Sequence, residues 1–127
     1  MSLDITLEAD SRLTRCHMKK VLEVLGAAQT DEADVLTAFF PESNMGFLYR
    51  DTVNIAEHLT EGFESATWPV QSRATFRLSA AHYDKCMEDL RKFLENLSEL
   101  TEAFFTVAFQ YERLIAYRND QGLNFVE

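Results

Sequence analysis

The sequence predicts a single α+β domain over residues 1–127, with a mainly antiparallel sheet of six or seven strands and three helices. Two observations carry this: apolar residues recur with strand and helix periods in alternating segments, and two stretches follow the same βαββ order. The first stretch spans residues 5–51 and the second 74–120. At one constant offset Met18 falls on Met87, Leu25 on Leu94, Thr37 on Thr106 and Phe40 on Phe109; one residue fewer in the turn sets Tyr49-Arg50 on Tyr117-Arg118. The matched identities are sparse, and the matched order of hydrophobic periods is what proposes a duplicated unit.

Ile5, Leu7 and Ala9 alternate with Thr6 and Glu8, the period of a half-buried strand. Asp10-Ser11 offers a helix N-cap, and Leu13, Met18, Val21, Leu22 and Leu25 then recur at helical spacing until Gly26, where a helix stops. Residues 29–34 read as an acidic connector. Val35 to Phe40 is a short apolar run, Pro41 to Gly46 has hairpin-loop composition, and Phe47 to Arg50 is the return strand. The third helix is read over Val53 to Phe63, from Ile55, Ala56, Leu59 and Phe63. Ser65 to Ser72 contains Trp68-Pro69 and forms a connector, because proline disfavours helix in the residue before it.

Arg73 to Leu78 is a strand candidate. The strongest amphipathic helix follows, with Met87, Leu90, Phe93, Leu94, Leu97 and Leu100 along one stripe. Residues 103–119 fit both periods. Aromatic and β-branched enrichment favours a long or bulged strand, hairpinned through Asn119 to Gly122 onto Leu123 to Val126. The expected core is Leu7, Met18, Val21, Leu25, Phe40, Phe76, Met87, Leu90, Leu94, Val107 and Phe109.

A chain of 127 residues, 46% hydrophobic and with ten phenylalanines, holds enough apolar material for a core without staples. Its net charge of −9 repels nucleic-acid phosphates and anionic membrane surfaces and attracts basic partners. No stretch approaches the roughly twenty apolar residues of a membrane span, and no secretory signal opens the sequence, so a cytoplasmic protein with reduced Cys16 and Cys86 is expected.

No motif for catalysis stands out. The four glycines are isolated, so no phosphate-cradling loop exists, and no GxSxG, HExxH or dinucleotide fingerprint is present. His82 and Cys86 share a helix face, and Cys16-His17 occupies the matching place in the first helix. Without CxxC or HxxxH spacing this is no zinc pattern, and the nearby Asp84 and Asp89 disfavour a thiolate nucleophile. No cofactor and no metal are therefore expected, and no catalytic residue.

The carboxylates instead form ridges. Glu57 and Glu61 step by four on the third helix, as do Glu95 and Glu99 on the long one, away from the apolar stripes. These four and Trp68, a large ring with no periodic core position, are the candidate partner-binding residues. The function expected is protein binding without catalysis, in the form of an inhibitor or immunity-type protein that masks a basic toxin or enzyme surface. A secretion-chaperone or adaptor dimer is the second reading. A small-molecule-binding protein or enzyme with a pocket between the two halves is the third.

Overall fold

The computed structural model describes residues 3–52 and 67–126. Its elements are β1 (Leu3–Ala9), α1 (Arg15–Val24), β2 (Ala28–Asp31), β3 (Leu36–Phe40), β4 (Met45–Arg50), β5 (Ser72–Leu78), α2 (Tyr83–Leu100), β6 (Phe105–Phe109), β7 (Arg113–Asn119) and β8 (Gly122–Phe125). All eight strands join one antiparallel sheet in the order β2-β3-β4-β5-β1-β6-β7-β8. The α+β class and the antiparallel sheet are as the sequence predicts. The described residues hold two α-helices; the helix expected over 53–63 lies outside them.

Alternation in the strands builds the core. Ile5 stands opposite Phe76, which stands opposite Phe47, and Leu7 lies between Ala74 and Val107. These side chains share the face that receives Met18, Val21 and Leu22 of α1 and Leu90, Phe93, Leu94 and Leu97 of α2. Phe47, Phe76 and Phe93 meet as a triad with ring centroids 5.0–5.5 Å apart, the edge-on and tilted contacts that aromatic quadrupoles favour. Of the expected core, Leu25, Met87 and Phe109 are only half-buried, and the other eight residues are buried. The opposite face is buried at its centre as well: Thr6, Glu8, Thr106 and Ala108 are at most 3% exposed. Glu8 there receives the Arg73 guanidinium at 2.9 Å, so the buried carboxylate is compensated by a charge-assisted bond.

Four local expectations are corrected. α1 begins after Thr14, with a capping box in which the Thr14 side chain accepts from the His17 amide and the His17 ring accepts from the Thr14 amide. Asp10, expected as the cap, is engaged elsewhere: it accepts from the Arg12 amide and guanidinium and from the Phe104 amide, which ties β1 to the start of β6. The acidic connector begins as β2, a strand without a buried residue, paired to β3 from Ala28 opposite Phe39 to Asp31 opposite Leu36. The long strand over 103–119 is two strands. A bulge does fall between Val107 and Ala108, but a turn closed by the Glu112 amide on the Phe109 carbonyl separates β6 from β7. The strand count accordingly rises to eight.

Gly26 ends α1 as expected. It adopts φ +74°, and the Gly26 and Ala27 amides reach back to the carbonyls of Glu23 and Leu22, the paired bonds of a Schellman motif.

Candidate partner-binding surface

α2 presents its apolar stripe to the sheet, which leaves a charged outer side. Glu95 and Glu99 are both exposed there, one turn apart. Glu57 and Glu61 lie outside the described residues. Trp68 is half-buried in the connector to β5, two residues before the buried Val70. Leu100, at the end of the apolar stripe, is 41% exposed.

The outer side of α2 is more nearly neutralised than its carboxylates alone suggest. Lys85 Nζ lies 3.5 Å from Glu42, 3.6 Å from Glu88 and 4.0 Å from Asp89. Lys92 approaches Glu88 at 3.4 Å, and Arg91 approaches Glu95 at 3.9 Å. Hydrogen bonding to Lys92, then the charges of Lys85 and Lys92, hold the Glu88 carboxyl below its ordinary range. No ion pair within 4.0 Å engages Glu99 or Asp84 among the described residues. The i, i+4 partners Arg91 and Lys92 were visible in the sequence, and they bear on the ridge because helical pairs of that spacing meet. Of Glu95 and Glu99, Glu99 is therefore the carboxylate better placed to act on an incoming cation.

A second charged cluster closes the β2 side of the molecule. Arg15 lies 2.8 Å from Asp31 and 3.2 Å from Asp51, and also donates to the Glu32 carbonyl; Lys19 lies 2.8 Å from Asp31. Lys19 and then Arg15 hold the Asp31 carboxyl below its ordinary range, and Asp31 in turn raises both cations. The pairs join residues distant in sequence, so no local spacing could reveal them.

The thiols have separate surroundings. Cys86 is buried and donates to the Ser43 carbonyl at 3.3 Å, whereas Cys16 is exposed on α1. His82 lies beside the Ser79 hydroxyl at 3.3 Å, and His17 is occupied by the Thr14 cap. No group of three metal-ligating side chains occurs among the described residues.

Three of the surface hollows have distinct chemistry. One of about 420 Å³ on the sheet face away from the helices is lined by Thr37, Leu48, Thr75 and the Asp4–Arg77 pair. One of about 270 Å³ lies between α2 and the β7–β8 hairpin, with Met87, Leu90, Ile115 and Phe125 as its apolar wall. The third, about 260 Å³, sets Arg12 and Arg118 beside Glu102 and Asp120. Arg118 already donates to the Ser98 hydroxyl and Arg12 to Asp10, so the two cations are engaged within the chain.

No described helix is long and apolar enough to cross a membrane. No protein-family model matches this chain, and no curated protein matches it.

Proposed function

We propose that this protein is an acidic protein-binding module that acts by masking a basic surface on a partner, as an inhibitor or immunity-type protein would, and that it works without catalysis. The observation that carries this reading is the exposed Glu95–Glu99 row on α2, within a chain of net charge −9. An acidic field of this kind raises the encounter rate with a basic partner, and the effect weakens as salt screens it. Glu99, in no ion pair among the described residues, contributes most; Glu95 first gives up a loose contact with Arg91. Glu57 and Glu61, outside the described residues, are included as partner-binding residues on their spacing in the sequence alone, and Trp68 is assigned the role of an apolar anchor. A duplicated βαββ origin for the two halves is part of the same reading; it rests on the matched hydrophobic periods of residues 5–51 and 74–120, with β2 and β8 outside the repeated βαββ unit.

The test uses the protein encoded beside this one in its genome, taken as the partner if it is basic. Stopped-flow association is measured across a salt series with the wild type and with Glu95→Lys/Glu99→Lys. The expected outcome is slower association and a flatter salt dependence for the double variant, with Trp68→Ala speeding dissociation instead. Association rates of wild type and double variant that coincide at every salt concentration would remove α2 from the interface.

A further inference from the structure

The sheet has two edges, β2 and β8, and they are built differently. At the β2 edge, Asp31 binds Arg15 and Lys19, Arg15 also holds the Glu32 carbonyl, and the Gln29 amide reaches the Lys19 carbonyl. Charged side chains along a short strand are a common protection against edge-to-edge pairing. β8 is less guarded: the Arg91 guanidinium lies 4.0 Å from the Phe125 ring and the Asn124 side-chain amide donates to the Gly122 carbonyl, but no charged side chain belongs to the strand itself. Its sequence is Gly-Leu-Asn-Phe, without charge or proline, it pairs only with β7, and Val126 beyond it is 51% exposed.

The hydrogen-bond pattern shows which backbone groups β8 offers. The Val126 amide donates to the Ile115 carbonyl, so in an antiparallel ladder the alternate residues Asn124 and Gly122 also turn inward, to Tyr117 and Asn119. Leu123 and Phe125 then turn their N–H and C=O groups outward. No other described backbone group bonds them there. These two residues stand symmetrically about Asn124, and both side chains lie on the core face, where they pack as half-buried apolar groups.

We infer that the β8 edge is a homodimer interface in which β8 of one molecule pairs antiparallel with β8 of a second copy about a two-fold axis through Asn124. Leu123 of each copy faces Phe125 of the other, which forms four backbone hydrogen bonds and sets two leucine–phenylalanine pairs on the helix-bearing face. Both helix layers lie on one side of a continuous sixteen-stranded sheet. The occupant is a second copy because this register is self-complementary: it uses every outward backbone group and sets apolar opposite apolar on the core face. Assembly stops at the dimer because the charged β2 edge offers no site for a third molecule. The short strand yields less contact than the roughly 1,600 Å² of a standard interface, so the dimer is weak and concentration-dependent.

The two-fold axis supplies the test, since Asn124 of one copy then lies directly opposite Asn124 of the other. Sedimentation velocity is run on the wild type, on Asn124→Lys, on Asn124→Asp and on an equimolar mixture of the two variants, from about 5 to 500 µM. Leu123 and Phe125 amide exchange is followed alongside. The expected result is a wild-type dimer that protects both amides, about tenfold or greater weakening in each variant alone, and recovery in the mixture, where lysine meets aspartate. Unchanged far-UV circular dichroism of the variants separates loss of pairing from loss of fold. A wild type that stays monomeric throughout the range, or variants that dimerise as well as it does, would overturn the inference. A monomer whose Leu123 and Phe125 amides become protected only with the basic partner would also overturn it, and would give the edge to a partner strand.

Discussion

In the first half of the chain β1 leads into α1 and then into a meander, β2-β3-β4, that enters the sheet at its outer edge and works inward. In the second half β5 leads into α2 and a meander, β6-β7-β8, that leaves the centre and works outward. The order of elements is shared, yet their places in the sheet are mirrored. Each opening strand is separated from its own meander by the opening strand of the other half, so neither half closes a sheet alone. The pairing order is decided by contacts that join the halves, such as Leu7 with Ala74 and Val107.

The helices are held by different means. α1 has ten residues, a capping box at its start and a Schellman motif at its end, so its backbone groups are satisfied locally. α2 has eighteen residues, no side-chain cap at His82, and a short 3-10 turn, Ala80–His82, in place of one. It relies on its buried stripe. The largest effect is therefore expected there: Leu94→Ala, at a fully buried position, should destabilise the protein by about 2–5 kcal/mol in urea unfolding. A loss below about 1 kcal/mol would mean that α2 is held by something other than that stripe.

The turns differ in the same instructive way. The β3–β4 loop places Asn44 at φ 58°, a left-handed conformation that asparagine tolerates through its short polar side chain. The β6–β7 turn places Gln110 at φ 50° and Tyr111 at φ 64°, both left-handed and neither a favoured residue there. The structure sustains the strain because the Gln110 amide bonds the Asp4 carbonyl and the strands on either side are fixed. Replacing Gln110-Tyr111 by Asn-Gly should raise stability by about 1 kcal/mol, read as a higher urea midpoint at unchanged slope. A lower midpoint would mean that the Tyr111 side chain contributes more than the backbone strain removes.

That turn also explains where the sequence misled. With no glycine, asparagine or aspartate between Phe109 and Arg113, nothing local marked a reversal, and Phe105 to Tyr111 kept its alternation through the point where the chain turns back. β2 was illegible for the opposite reason. It buries nothing, so it has no period to read, and it is a strand because β3 pairs with it and α1 side chains grip Asp31. Residues whose burial fixes their role were legible, Ile5, Leu7 and the buried α2 stripe among them, as was Gly26, whose left-handed backbone ends α1. Of the candidate surface, the exposure of Glu95 and Glu99 followed from their spacing against Leu90, Leu94 and Leu97. The partial neutralisation by Arg91, Lys85 and Lys92 turns on which rotamers meet, and Glu42 reaches the row only through the fold.

The smallest effect belongs to the charged edge that β8 lacks. Lys19 and Arg15 hold the Asp31 carboxyl below its ordinary value, so the folded pKa lies under the unfolded one. For a carboxylate shifted this way the stabilisation is present above the unfolded pKa and is lost as pH falls through the folded value. The pairs are solvent-screened, and exposed ion pairs contribute little, so only a slight lowering of melting temperature is expected for Asp31→Asn at neutral pH. That difference should shrink as pH drops below the ordinary carboxylate range, because the wild type then carries a neutral residue as well. It should also shrink in high salt, where a loss of packing would persist. Thermal melts of wild type and variant at neutral and acid pH, each at low and high salt, check both. A difference that survives acid and salt alike would mean that Asp31 holds β2 by geometry, and the two edges would then differ in shape more than in charge.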